Sequence, residues 1–352
     1  MIPELSEFSG KNVFITGHTG FKGSWLTAIL HNVGANVLGF SLKPDDGTSL
    51  FESLGLGDKV SSIFADIRDQ DKLTTAIENF KPEFVFHLAA QALVRPSYID
   101  PIETFTTNFV GSMHILESVR QFDSVKSLIF VTSDKCYENR GGLKPYIESD
   151  KLGGHDPYSA SKAAAEILFH SYLVSYFSLD RELGAASVRA GNVIGGGDWS
   201  LDRIVPDFIR SISTNIPVQL RNPDAQRPWQ HVLEPLSGYL KLAIKLKYHP
   251  NEFSGSWNFG PNLDEVISVR VLIEKFIENY GTGSIGQLTT RESTHEATNL
   301  HLDSQKAAEL LSWRPKWNID SCVTKTSDWY QEVSLGMDPY TKTIAQIEEY
   351  FS

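Results

Sequence analysis

A tyrosine and a lysine four residues apart, in Tyr158-Ser159-Ala160-Ser161-Lys162, stand one above the other if the segment is helical and can then act as one acid/base unit. The residues in front favour that helix, because Asp156 is a good N-cap and Pro157 a good first helical residue. Tyr158 then falls in the first turn, where backbone N–H groups and the helix dipole favour an anion. With an ammonium one turn away, its phenol is expected to lose a proton more readily than a free phenol. The spacing alone is also met on solvated helix surfaces, so its meaning depends on what shares the site.

Two further segments carry chemistry. Gly17-His18-Thr19-Gly20-Phe21-Lys22-Gly23 stands between an apolar run, Asn12 to Thr16, and a helical pattern. Glycines at that turn let a backbone approach a pyrophosphate, and the helix N-terminus supplies N–H donors. The segment is read as a dinucleotide-binding loop. The acidic residue that should follow about 20 residues later, to hold a ribose, is missing. Phe40-Ser41-Leu42-Lys43 stands there, with Asp45 and Asp46 slightly late, so NAD and NADP are not distinguished at this point. Asp66 and Ile67, after a third apolar run, fit an adenine contact. Val131-Thr132-Ser133-Asp134-Lys135 ends another run with a hydroxyl, a carboxylate and an amine in succession. Ser133 can hydrogen-bond a substrate oxygen, while Asp134 and a desolvated Lys135 can exchange protons.

The elements that must carry these segments are legible as an alternation. Apolar strands are expected at Asn12 to Thr16, Val37 to Ser41, Ser62 to Ala65, Phe84 to Ala89, Ser127 to Thr132 and Ala185 to Arg189. Helices are expected at Phe21 to Val33, Thr104 to Gln121 and Pro157 to Phe177. This rhythm points to an α/β, doubly wound parallel sheet of Rossmann type, which binds ligands at the carboxyl ends of its strands. After about residue 190, glycines 195–197 and several prolines break the rhythm. Residues 1–190 are therefore read as a dinucleotide-binding domain. Residues 191–352 are read as mainly a smaller α/β substrate-binding portion, with room for a segment that returns to the first domain.

Composition sets limits. The 352 residues are 41% hydrophobic and 21% charged, ordinary for a globular protein. A net charge of −11 argues against nucleic acid as a partner but leaves room for a local basic pocket. No apolar run approaches the ~20 residues that span a bilayer, and the first ten residues lack the pattern of a signal peptide, so a cytoplasmic protein is expected. Two cysteines, Cys136 and Cys322, and ten scattered histidines suggest neither a disulfide framework nor a metal site.

Taken in order, the glycine loop, the Ser133-Asp134-Lys135 segment and the Tyr158/Lys162 pair resemble the extended short-chain dehydrogenase/reductase family, and within it the nucleotide-sugar dehydratases. The resemblance runs from about Lys11 to Pro315. It is carried also by His87-Leu88-Ala89-Ala90-Gln91, Asn108-Phe109-Val110-Gly111, Val188-Arg189-Ala190-Gly191-Asn192, Arg227-Pro228-Trp229-Gln230-His231-Val232, Trp257-Asn258-Phe259-Gly260 and Trp313-Arg314-Pro315. It implies a resident NAD held by Gly17, Thr19, Gly20, Phe21, Lys22, Gly23, Asp66, Ile67, Leu88, Ala89, Ala90, Tyr158 and Lys162.

The same likeness gives Tyr158, Lys162 and Ser133 the oxidation of a sugar 4-hydroxyl. Asp134 protonates a departing 6-hydroxyl, and Lys135 removes the C5 proton or, if cationic, stabilises the enolate. Gln91-Ala92-Leu93-Val94-Arg95-Pro96-Ser97 resembles the loop of CDP-sugar members, which implies CDP-glucose as substrate. Gln91, Arg95, Asn192, Arg227 and His295 match nucleotide-sugar contacts, with Arg95 either meeting the pyrophosphate or bracing its loop. An epimerase, or a dehydratase for another nucleotide, remains open, as does a non-catalytic dinucleotide sensor. A homodimer formed by the Thr104 to Gln121 and Pro157 to Phe177 helices, and a product used for deoxysugars of polysaccharides, are further implications.

Overall fold

Seven strands, all parallel, build the central sheet of the computed structural model, which describes residues 2–44, 49–141, 144–178, 183–286 and 301–352. They are β1 (Asn12–Thr16), β2 (Asn36–Ser41), β3 (Ser61–Phe64), β4 (Phe84–His87), β5 (Ser127–Val131), β6 (Gly184–Ala190) and β7 (Gly255–Phe259). Their spatial order is β3-β2-β1-β4-β5-β6-β7, so the direction of winding reverses between β1 and β4. At such a reversal the loops leaving the two strands diverge and open a crevice at their carboxyl ends.

Alternate residues of each strand enter different cores. Val13 and Ile15 of β1, Phe84 and Phe86 of β4 and Ile129 of β5 pack with Trp25 and Ile29 of α1 (Phe21–Asn32) on one face. Phe14, Val85, Leu128 and Phe130 point the other way. There they meet Leu73 and Ile77 of α2 (Gln70–Phe80), Ile115 and Val119 of α3 (Gly111–Gln121) and Phe169 of α4 (Pro157–Tyr172).

The later part of the chain adds α5 (Ile204–Thr214), α6 (Leu233–Tyr248), α7 (Val269–Tyr280), α8 (Ile319–Ser334) and α9 (Pro339–Tyr350). Leu233, Leu236 and Leu240 of α6 and Trp329 of α8 join the core of the α1 face. That later part also supplies β7, which pairs in register with β6 from Gly255 opposite Ala186 to Phe259 opposite Ala190. Two short strand pairs, Val193–Ile194 with Gln230–His231 and Gln226–Arg227 with Ile267–Ser268, complete the substrate side.

Strands β1 to β6 agree with the sequence expectation to within two residues at each end. The expected helix over Thr104 to Gln121 is interrupted. A short helix, Pro101–Phe105, passes into a π-turn at Thr106–Val110 before α3 begins, and the helix over Pro157 to Phe177 ends in a second π-turn, Leu173–Phe177. The first π-turn aims the buried Asn108 inward, where its Nδ2 donates to Gln91 O at 3.0 Å and to Ser161 Oγ at 2.8 Å. Its Oδ1 accepts from Gln91 N at 2.8 Å. The loop after β4 is thereby tied to α4 at Ser161, the residue immediately before Lys162.

A buried ion pair locks β5, β6, β7 and α4 together. Arg189 of β6 meets Glu166 of α4 at 2.7 Å, with side chains 3% and 1% exposed. Each remaining donor and acceptor is used, as burial of charge requires. Thr132 and Ser187 donate to the Glu166 carboxylate. Arg189 donates to Tyr137 Oη at 2.6 Å, Glu148 O at 3.0 Å and Ser256 Oγ of β7 at 3.1 Å, and Tyr137 in turn donates to Asn258 at 2.8 Å. Burial pushes the Glu166 carboxyl up, but the Arg189 guanidinium and these hydrogen bonds outweigh it and hold the group below its ordinary value. Removing one partner leaves the other charge buried alone. Arg189→Met is therefore expected to lower unfolding free energy by about 3–5 kcal/mol. Chemical denaturation should show most of that loss recovered in Arg189→Met/Glu166→Leu; equal destabilisation in both variants would contradict the ion-pair account.

Candidate active site

Loops from the carboxyl ends of β1 to β6 surround a cleft of about 760 Å³. Its lining contains Gly17, Thr19, Gly20, Phe21, Lys22, Gly23, Asp66, Ile67, Leu88, Ala89, Ala90, Gln91, Arg95, Ser133, Asp134, Lys135, Tyr158, Lys162, Asn192 and Arg227. Each residue singled out from sequence is thus brought to one place, except His295, which lies outside the described residues, as do Asp45 and Asp46.

The chemistry-bearing hydroxyl, carboxylate and amine occupy a tight turn after β5. Ser133 caps a single 3₁₀ turn, Asp134–Cys136: its Oγ accepts from Lys135 N at 3.2 Å and donates to Asp134 Oδ1 at 2.9 Å. Asp134 is buried, and Lys135 is half-buried on the cleft wall. Opposite this turn, Asp156 caps α4 by accepting from Ser159 N at 2.9 Å, and Pro157 opens the helix, so Tyr158 sits in its first turn. Asn108 acts through Ser161, whose Oγ donates to Tyr158 O at 2.7 Å.

The electrostatics correct one expectation. Burial pushes the Tyr158 phenol up, to about 12, although a hydrogen bond with Ser133 pulls the other way and Asp134 adds to the rise. The reading from sequence weighed the helix terminus and Lys162 but not desolvation, which is the larger effect here. The same burial lowers the Lys162 ammonium to about 8 against the opposing Glu166 charge. Burial thus favours the neutral form of both groups, and the influences that work towards the tyrosinate are the hydrogen bond with Ser133 and the positive charge of Arg203.

The glycine loop has the form that a dinucleotide pyrophosphate needs. Gly17 has φ +73, and a Cβ there would stand 2.7 Å from Ala89 N, so only glycine lets β1 and β4 approach this closely. A Cβ on Gly20 would meet only Gly17 O, at 3.4 Å, and any longer side chain would enter the cleft. Gly20 is also the N-cap of α1 without a side-chain cap, leaving the first-turn N–H groups for a ligand. These features fit a dinucleotide. At the end of β2, where an acidic residue was sought, Thr19 Oγ1 and Ser41 Oγ lie 2.8 Å apart, and Ser41 Oγ is 3.1 Å from His18 Nδ1. Asp66 is held by Arg68 through contacts of 2.9 and 2.6 Å.

The substrate side is rich in arginine. Arg227 is buried in the lining, and its Nη1 donates to Gln226 O at 2.9 Å. Arg95 reaches across the cleft mouth to Asp202 at 2.8 Å, and Arg221 meets the same carboxylate oxygen at 2.8 Å. Arg203 pairs with Asp198 at 3.2 Å. A chain of net charge −11 thus keeps a locally cationic mouth. The Gln91 side chain is occupied in bracing its loop, donating to Leu93 O and Thr104 Oγ1 and accepting from Leu93 N at 2.6 Å. Sequence reasoning missed Asn108, Glu166, Asp202 and Arg221, since their roles arise from contacts between distant segments; the quoted Asn108-Phe109-Val110-Gly111 motif was the available signal for the first.

Known proteins resemble this chain along most of its length. Residues 14–326 match the family model described as GDP-mannose 4,6 dehydratase. The chain is 44% identical over 349 residues to the CDP-glucose 4,6-dehydratase of Salmonella typhimurium, covering 98% of this chain and 97% of that one. Among solved structures, the UDP-glucose 4-epimerase of Thermus thermophilus in complex with NAD superposes with a TM-score of 0.76 at 26% identity, over 91% of this chain and 99% of that one. The dTDP-glucose 4,6-dehydratase of Bacillus anthracis in complex with NAD gives a TM-score of 0.78 at 20% identity, over 94% and 100% of the two chains, a likeness of fold alone. Matched by that family model over residues 14–326 and 44% identical to a 4,6-dehydratase along nearly its whole length, this chain belongs to the GDP-mannose 4,6 dehydratase family of extended short-chain dehydrogenase/reductases.

Proposed function

We propose that the chain converts CDP-glucose to CDP-4-dehydro-6-deoxyglucose and water with a resident NAD. The observation that carries this reading is the pairing of an acid and an amine, Asp134 and Lys135, with Ser133 in the cleft that also holds Tyr158 and Lys162. An epimerase needs only the tyrosine and lysine. The near full-length likeness to a CDP-glucose 4,6-dehydratase supports the choice of nucleotide.

When bound, NAD would be held by the loop 17–23, the residues after β3 and β4, and Lys162, and would supply a reversible hydride acceptor. In the proposed cycle Tyr158, hydrogen-bonded by Ser133, takes the proton of the sugar 4-hydroxyl. Lys162 steadies the resulting charge. Oxidation at C4 makes the neighbouring C5–H acidic. Lys135 takes that proton or stabilises the enolate, Asp134 protonates the 6-oxygen, the C6–O bond breaks and water leaves. Reduction at C6 with delivery of a proton back to C5 leaves the C4 ketone, and release of the Tyr158 proton balances the one that Asp134 gave to the departing water, which closes a redox-neutral cycle. Arg227 and Asn192 hold the nucleotide diphosphate, since guanidinium binds phosphate bidentately.

Incubation with NAD and glucose linked to CDP, dTDP, UDP or GDP should give a product lighter by one water from CDP-glucose, without net NADH. An unchanged mass with inverted C4 would instead identify an epimerase. Tyr158→Phe should lower turnover by about 10²–10⁴-fold, the usual contribution of a positioned acid/base. Asp134→Asn should slow water loss more than C4 oxidation, and equal slowing of both steps would sink its assigned role.

The reading extends to assembly and place of work. Ile99, Ile102, Ile167, Val174 and Tyr176 are exposed on the segment 94–105 and on α4 with its terminal π-turn, which pack beside each other. Such a patch is the expected interface of a homodimer. Light scattering should report two chains per particle, and Ile167→Asp should shift this towards one; a monomeric wild type would end the dimer proposal. No helix among the described residues is long and apolar enough to cross a membrane. The proposed setting is the cytoplasm, with the product feeding deoxysugar synthesis.

A further inference from the structure

The crevice at the reversal of winding opens between the last residues of β1 and β4, Thr16 and His87, which are register partners. Both side chains are buried, and the cycle proposed above uses neither. Thr16 Oγ1 lies 2.7 Å from His87 Nδ1, and the other ring nitrogen, Nε2, lies 3.2 Å from Ser112 Oγ in the first turn of α3. Ser112 Oγ is in turn 2.6 Å from Asn108 O, in the π-turn that precedes α3. At the opposite end of these contacts, Ala89 N donates to Thr16 Oγ1 at 3.2 Å.

A hydroxyl has one proton, and that fixes the direction of every bond in the series. A carbonyl oxygen only accepts, so the Ser112 proton lies towards Asn108 O. Ser112 Oγ must then accept from His87, which places a proton on Nε2. The opposite tautomer would set Nε2 against the Ser112 oxygen with no proton between them, a costly contact where no water reaches. A neutral ring with its proton on Nε2 leaves Nδ1 as an acceptor, and the Thr16 hydroxyl, which already accepts from Ala89 N, donates to it. Burial keeps the ring neutral, and the charge of Lys162 adds to the effect, so that its pKa is pushed down to about 3. Hydrogen bonds therefore run in one sense from Ala89 through Thr16, His87 and Ser112 to Asn108.

The two ends of the series belong to the two sides of the reaction. Ala89 backs the phosphate loop, since a Cβ on Gly17 would stand 2.7 Å from Ala89 N, and both residues line the cleft. Asn108 continues through Ser161 Oγ to Tyr158 O. We infer that His87 is a positioning residue for the oxidation at C4, holding as its Nε2–H tautomer the spacing between the dinucleotide cradle and Tyr158. The inference rests on the redox cycle proposed above and adds a residue to its first step. In that step hydride leaves C4 for the dinucleotide as the Tyr158 oxygen takes the hydroxyl proton, so cradle and phenol must be in place together. A misplacement of about 1 Å from a remote change can slow such a step by about 100-fold.

The test uses the full chain with NAD, comparing wild type with Ser112→Ala, His87→Phe and His87→Gln. Oxidation at C4 of CDP-glucose is followed in a single turnover as transient reduced dinucleotide, and the affinities for CDP-glucose and NAD are measured beside it. The tautomer is read from the ¹⁵N imidazole resonances of the wild type, assigned to His87 by their loss in His87→Gln. An unprotonated Nδ1 and a protonated Nε2 are expected at neutral pH. Ser112→Ala and His87→Phe are expected to slow C4 oxidation by about 10–100-fold with both affinities kept, while His87→Gln, which retains a donor for Ser112, recovers most of the rate. A protonated Nδ1, equal losses in His87→Gln and His87→Phe, a loss confined to affinity, or normal oxidation by Ser112→Ala beside an active wild type would each overturn the positioning role alone. A wild type that oxidises no nucleotide-linked glucose would overturn the redox reading and this role with it, whatever the tautomer.

Discussion

Arg189 and Glu166 are opposite charges buried together beneath the cleft, and neither can remain there without the other. Their pairing fixes α4 against β6, and α4 carries Tyr158 and Lys162 two turns and one turn before Glu166. Thr132 adds the end of β5 to the same carboxylate, immediately before Ser133 and Asp134. The two halves of the reacting machinery, one on a helix and one on a strand-end turn, are thus referred to a single buried group. Ser256 and Asn258 bring β7 into this network, which gives a late segment of the chain a place in the first sheet.

Around that frame the cleft divides labour by environment. Desolvation acts on Tyr158 and Lys162 in opposite directions, up for the phenol and down for the ammonium, because burial disfavours the charged form of each. Arginines gather at the mouth, where a nucleotide diphosphate would enter, while the chain as a whole is acidic. A carboxylate of the protein, Asp202, already engages two of them, Arg95 and Arg221.

Much of this was legible in the sequence, for physical reasons that differ between elements. Strands β1 to β6 are short apolar runs between turn residues, the pattern of a sheet covered on both faces. Strand β7 escaped, because Gly255, Ser256 and Asn258 have poor strand propensity, and Ser256 and Asn258 are there to satisfy Arg189 and Tyr137. The N-cap at Asp156 and the glycine loop were readable since their signals are local. The elevated phenol of Tyr158 was not, as desolvation depends on neighbours from distant segments. Nor was the Arg95 to Asp202 contact, which spans 107 residues, or the occupation of Gln91 by its own loop.

The account treats Tyr158, Lys162, Ser133 and Asp134 as parts of one closed cycle, in which what is removed at C4 is returned at C6. CDP-glucose carrying deuterium at C4 tests this most directly. The account predicts a product lighter by one water, with the deuterium at C6 and no accumulation of reduced dinucleotide. Deuterium retained at C4, or lost from the sugar, would contradict it.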